Sequence, residues 1–230
     1  MKALINHKIA KEFFRTTGVE TVELLPYDRL DAPVSAHADM LFCVLDNTVF
    51  CYFDYVEKYG LLDILKSNIS NIVFVEKTCE RKYPFDVSLN VLVMGKKLFA
   101  NTKHVAKEIL DFAYSNGYSV VDVKQGYAAC SVLVLDEKNC ITSDCGLASV
   151  LRQNGINVLL ADNTGIELNG YNVGFFGGAS AIIGKNVYFF GDASSLRESE
   201  KVFEFIKSCG FEVFSILSDR VYDFGGVKLI

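Results

Sequence analysis

The chain has 230 residues, 50% of them hydrophobic and 22% charged, with a net charge of -5. That is enough apolar material for a good core, and the mild negative charge argues against a non-specific nucleic-acid binder, which carries a basic surface. No apolar run reaches the roughly 18 residues of a membrane helix, and charges interrupt MKALINHKIAKEFF where a signal peptide is apolar, so a soluble cytoplasmic protein without a membrane partner is expected.

MKALINH opens the chain as a strand, followed by a helix near 8–16, Gly18 and a strand near 19–25. MLFCVLDNTVFCYF then reads as strand, tight polar turn at Asp46-Asn47, strand. A helix over 54–66 and a return strand in SNIVFV complete that unit, with Asn68 where the other units carry glycine. LNVLVMGKKLFAN repeats the hairpin with a turn at Gly95-Lys96. A helix over 102–115 follows, with Val105, Ile109, Phe112 and Ala113 on one face, then Gly117 and a strand.

CSVLVLDEKNCITSD turns at Asp136 to Asn139. Asp144 or Ser143 caps a helix over 145–154, and Gly155 leads to another strand. GFFGGASAIIGKNVYFFGD turns at Gly184 to Asn186. It is followed by a helix over 194–208, with Val202, Phe205 and Ile206 on one face, then Gly210 and a strand. YDFGGVKLI ends the chain as a strand without a partner.

The same unit, strand–turn–strand–helix–strand, thus occurs four times, starting near 40, 89, 130 and 174. A spacing of roughly 45 residues is one at which repeats build closed or stacked arrays. Gly18, Gly117, Gly155 and Gly210 sit where a helix ends in a left-handed residue. The two chain ends together make a fifth unit. Pairing the last strand with the first would close a ring and remove its exposed edges. One domain over 1–230 is expected.

Seven cysteines are scattered without a C-x-x-C pair, and only His7, His37 and His104 are available beside them. That pattern gives no basis for a zinc site, and nothing in the sequence calls for a metal or a cofactor. Reduced, mostly buried cysteines are expected, with Cys130 set apart by its place in QGYAACSVLVL.

Five such units in a ring resemble the α/β-propeller of the pentein superfamily, the fold of the guanidino-group-modifying enzymes. HADMLFCVLDNTVF (37–50) is similar to the segment that opens the first unit of the dimethylarginine enzymes. GGASAIIGKNVYFFGD (177–192) is similar to their Gly-Gly-Asp-Val-Leu segment, and GYAACSVLVL to a Cys-containing lead-in to a propeller strand. The combination of His-x-Asp, Lys-Gln-Gly-Tyr, Cys-Ser and Gly-Gly more closely resembles an uncharacterised bacterial family of this fold. The family's catalytic cysteine opens the first strand of the last unit, where this chain has Gly225 and Gly226. Its histidine sits in the third-unit loop, where VKQGYAACS has none. The triad does not carry over, and catalysis here would need redistributed parts.

The resemblance implies that the loops leading into the inner strands face one central channel. They hold His37, Asp39, Asp86, Lys124, Cys130, Gly177, Gly178 and Asp223. Cys130 reads either as a nucleophile, with Lys124 and His37 favouring thiolate, or as a buried thiol. Asp39 is placed to orient His37, whose other reading is a backbone cap. Asp39 and Asp86 suit a guanidinium, although Asp86 after Pro84 also fits simple turn chemistry. Gly177-Gly178 precedes a strand, which suits a close approach rather than a phosphate loop. Two functions remain open: an enzyme acting through Cys130 on a small guanidino or amidino compound, and a binding or interaction module that has lost the family's cysteine. In either, the expected partner is a small molecule.

Overall fold

The computed structural model describes residues 1–77 and 79–230. β1 (Ala3–Asn6) runs straight into α1 (His7–Thr17), and β2 (Thr21–Leu24) returns parallel to β1. Ile9, Ala10 and Phe13 form the buried stripe of α1. The Asn6 side chain accepts the Lys8 N–H at its start, and Gly18, at φ 71°, ends it with its N–H on the Phe14 carbonyl.

The one-turn helix α2 (Ala38–Leu41) leads into β3 (Phe42–Leu45) and β4 (Thr48–Cys51), followed by α3 (Phe53–Lys58), α4 (Leu62–Asn68) and β5 (Asn71–Phe74). The third sheet is β6 (Leu92–Met94), β7 (Lys97–Ala100) and β8 (Ser119–Asp122), with α5 (Lys107–Ser115) between the last two. Another one-turn helix, α6 (Ala128–Ser131), opens β9 (Val132–Val134), which is followed by β10 (Asn139–Thr142), α7 (Cys145–Gln153) and β11 (Asn157–Leu160). After β12 (Ile166–Glu167) come β13 (Ser180–Ile183), β14 (Asn186–Phe189), α8 (Ser199–Ser208) and β15 (Glu212–Ser215). The chain ends with β16 (Val221–Tyr222) and β17 (Val227–Leu229).

Fifteen of these strands form five three-stranded sheets, each with one antiparallel and one parallel pair, and β12 and β16 form a two-stranded parallel sheet. The two chain ends pair as expected: β17 runs antiparallel to β1, with Ala3 opposite Leu229 and Ile5 opposite Val227. The core lies between sheets. Leu4, Phe42, Phe50 and Leu98, from β1, β3, β4 and β7, share one fully buried cluster. Burying each such side chain contributes about 1.5–3 kcal/mol.

Several expected elements differ in detail. The helix expected over 54–66 is two helices, because Gly60 takes φ 62° between them. The helix expected from 102 starts at Lys107, after a turn in which Asp122 accepts the Thr102 N–H at 3.0 Å. The helix expected from 194 begins with a 3-10 turn at Ala193–Ser195 before α8. The terminal segment is two strands, because β16 pairs in parallel with β12 and a tight loop separates it from β17. Cys145 is exposed at the start of α7, unlike the buried Cys43, Cys51 and Cys140. Among the described residues no helix is long and apolar enough to cross a membrane.

Candidate functional site

The loops before β3, β9, β13 and β17 are built by backbone chemistry. His37 is the N-cap of α2, and Asp39 lies in its first turn. Cys130 lies in α6, whose Ala128 and Ser131 are also buried. Asp223 folds the loop before β17: one carboxylate oxygen accepts the Gly225 N–H at 3.0 Å and the other the Phe175 N–H at 2.8 Å. The Gly178 carbonyl then accepts N–H groups from Phe224 and Gly226, and the Gly178 N–H donates to the Cys130 carbonyl. A Cβ on Gly178 would fall 2.1 Å from Asp223 Oδ1, and one on Gly225 2.2 Å from His37 Cβ. The close approach expected at Gly177-Gly178 is therefore present, and it involves protein groups.

Asn90 joins three of these loops. Its Oδ1 accepts the Ala129 N–H at 2.8 Å, and its Nδ2 donates to the Asp39 carbonyl at 3.2 Å and to Cys130 Sγ at 2.9 Å. Sequence reasoning missed it. Its signal was a single amide, fully polar, interrupting the apolar run into β6.

A cavity of about 260 Å³ opens over this network. His37, Cys130 and Asp223, each 4% exposed or less, form its deep end. Tyr127, Tyr171 and Phe175 form the walls, with Tyr171 44% exposed at the rim. Leu168, Val34, Met40 and Val173 fill the remainder of the apolar lining. The Tyr127 hydroxyl donates to Asp86 at 2.6 Å, and the Tyr171 hydroxyl to Asp31 at 3.3 Å. Tyr83 packs 5.4 Å from Tyr127, and Tyr127 6.3 Å from Phe175, so aromatic rings run from the surface into the cavity. The loop over 168–173 carried no motif and went unread in the sequence.

A second cavity, also about 260 Å³, shares no lining residue with the first. Asp39, Gly177 and Lys228 line it, with parts of β3, β6, β9, β13 and β17.

Burial dominates the electrostatics. It raises Asp223 to about 7, helped by the nearby Asp39 charge and opposed by the two N–H groups the carboxylate accepts. Burial raises Asp39 to about 6, against the pull of Lys228 and the Cys130 thiol. Cys130 stands well above the usual thiol range, because burial and the Asp39 and Asp223 charges all disfavour thiolate, while Asn90 pulls the other way. Burial and the Lys8 charge lower His37 to about 3, so its ring is neutral. Its Nδ1 lies 3.7 Å from Asp223 Oδ1, too far for a hydrogen bond, and a neutral ring makes no ion pair there.

Of the candidates, His37, Cys130 and Asp223 meet in the first cavity, while Asp39 and Gly177 face the second and Gly178 lies against Asp223. Asp86 is 2% exposed behind Tyr127, and burial raises its carboxyl; it is more than a turn residue. Two expectations need correction. Lys124 is exposed and lines neither cavity, and its carbonyl accepts from Asn101 beyond the end of β7. It does not favour a Cys130 thiolate. Asp39 does not orient His37, because residues two apart on a helical turn face different ways; the carboxylate near the ring is Asp223. Among the described residues, no group of three or more His, Cys, Asp or Glu side chains is arranged to hold a metal ion.

A family model described as a family of unknown function (DUF6873) matches residues 4–228. No curated protein matches the chain. Among solved structures, DDAH from Pseudomonas aeruginosa, a cysteine-to-serine mutant complexed with citrulline, is similar at 11% identity and TM-score 0.60, over 96% of this chain and 83% of that one. An amidinotransferase of saxitoxin biosynthesis from Microseira wollei is similar at 14% identity and TM-score 0.56, over 91% and 76%. Inosamine-phosphate amidinotransferase from Streptomyces griseus is similar at 14% identity and TM-score 0.55, over 96% and 76%. At these identities the likeness is one of fold, and the fold is that of the penteins.

Proposed function

The chain belongs to this family of unknown function, and we propose that it binds a small guanidino or amidino cation in the cavity over Asp223, without covalent chemistry at Cys130. We further infer that its five sheets form one domain, a five-unit propeller closed by β17 against β1. The cavity shared by β3, β6, β9, β13 and β17 supports that arrangement. It would bring the lead-in loops of all units around one mouth. The seven free cysteines fit the reducing setting of a cytoplasm.

One observation carries the ligand reading. A buried carboxylate, Asp223, lies at the deep end of a cavity walled by three aromatic rings, with no Lys or Arg among its lining residues. Each oxygen of Asp223 accepts one backbone N–H and retains a lone pair, so a planar cation can be met at two points. The ring faces of Tyr127, Tyr171 and Phe175 suit the same charge. The solved structures of similar fold, DDAH complexed with citrulline and two amidinotransferases, make a guanidinium the natural candidate.

Cys130 favours binding over catalysis. Its thiol lies beside two carboxylates, His37 is too weak a base to ionise it, and Lys124 is remote.

Calorimetric titration with methylguanidinium, and with methylurea as its neutral counterpart, tests the reading. Methylguanidinium should bind saturably and at least about tenfold more tightly than methylurea, and Asp223→Asn should weaken it at least about tenfold. Equal affinity for methylurea would overturn the cation reading. Release of ammonia or methylamine, or a mass increase at Cys130, would overturn the non-covalent one.

A further inference from the structure

The second cavity is lined by runs of neighbouring residues: Val91 to Val93, Val132 to Val134, Ser180 to Ile182 and Val227 to Leu229. Successive side chains of a strand point to opposite faces, so a run of three meets one cavity along the strand's edge. β3, β6, β9, β13 and β17 are each the terminal strand of their sheet. Their unpaired backbone N–H and C=O groups therefore face the cavity, and its wall is polar although its side chains are mostly apolar.

Two charged side chains line this space. Asp39 is 3% exposed, and its Oδ1 has no hydrogen-bond partner among the described residues. Lys228 is half-buried and makes no ion pair or side-chain hydrogen bond among the described residues. The two do not touch, yet the ammonium pulls the Asp39 carboxyl downward through space. A carboxylate and an ammonium thus face one cavity across a gap, each with unused hydrogen-bonding capacity. Burial of a carboxylate oxygen with nothing to accept is costly, so an occupant that donates to it is favoured.

We propose that this cavity binds a small zwitterion with the ammonium and carboxylate of a free amino acid, the ammonium on Asp39 Oδ1 and the carboxylate on Lys228. The strand edges supply the remaining N–H and C=O partners. This site is separate from the aromatic cavity and does not depend on the guanidinium reading.

Titration calorimetry with glycine, β-alanine and γ-aminobutyrate varies the distance between the two charges, and propylamine and propionate each supply one of them. At least one zwitterion should bind saturably, and both single-charge compounds at least about tenfold more weakly. Lys228→Met and Asp39→Asn should each weaken it at least about tenfold in protein that circular dichroism shows to be folded. Having both variants keeps the test decisive if one misfolds. Saturating methylguanidinium should leave zwitterion binding in place. The proposal fails if no zwitterion binds more tightly than about 10 mM, if binding survives both substitutions, or if methylguanidinium displaces it.

Discussion

In the proposed propeller, Gly18, Gly117, Gly155 and Gly210 end helices on the periphery of the units, whereas Gly177, Gly178 and Gly225 lie in the central loops. The first four have φ between 71° and 79°, and a Cβ on any of them would meet nothing within 4 Å. A Cβ on Gly177 would meet the carbonyl oxygens of Ala129, Val132 and Cys130 at 2.4, 2.5 and 2.7 Å. The peripheral glycines answer a local demand, a left-handed backbone, so the demand recurs in each unit. The central ones answer contacts between units, and no two of those contacts are alike.

The largest test of this difference removes a central strand. Deleting residues 225–230 takes away β17, its pairing with β1 and the exchange between Ile230 and Lys2. Cooperative unfolding, followed by circular dichroism, should be lost. An unchanged midpoint would mean that the centre does not hold the units together.

Gly177→Ala comes next. Three backbone carbonyls cannot yield as a flexible side chain would, and the change should cost about 3 kcal/mol in urea unfolding. A cost of about 1 kcal/mol or less would erase the contrast with the periphery.

Asp39→Asn should stabilise. The folded carboxyl is raised from 3.8 to about 6, so its contribution is full below pH 3.8 and is lost as pH rises through about 6. Keeping it ionised near pH 8 costs up to about 3 kcal/mol, which asparagine avoids. The variant's advantage in urea unfolding should be greatest near pH 8 and shrink toward about pH 4. An advantage that is constant over that range would show that burial of charge is not its cause.

The smallest effect belongs to the periphery. Gly117→Ala has open space around it and should cost only about 1 kcal/mol, the penalty of a left-handed alanine.

The same divide governs what could be read in the sequence. The hairpin turns at Gly95 and Gly184, the Asp144 cap on the Leu147 N–H and the glycines after α1 and α7 follow from residues close in the chain. The repeated hairpin–helix–strand unit was legible for that reason, and the pairing of the ends followed from a strand left without a partner at each terminus. Asn90, the aromatic wall around Tyr171 and Phe175, and the β12–β16 pair arise from segments far apart, so no local pattern announced them. Position in a lead-in loop does bring His37, Cys130 and Asp223 to one cavity. It failed for Lys124, because a loop also has a solvent side. Likewise His-x-Asp suggested a pair, but Asp39 and His37 face different cavities.

The most direct test of the site is the affinity of methylguanidinium measured from about pH 5 to about pH 8. Asp223, raised to about 7, must lose its proton to receive a cation, while His37 stays neutral throughout. Affinity should therefore rise up to about tenfold per pH unit below 7 and level off above it. Affinity that is flat across this range, or stronger at its acid end, would contradict a cation held by Asp223.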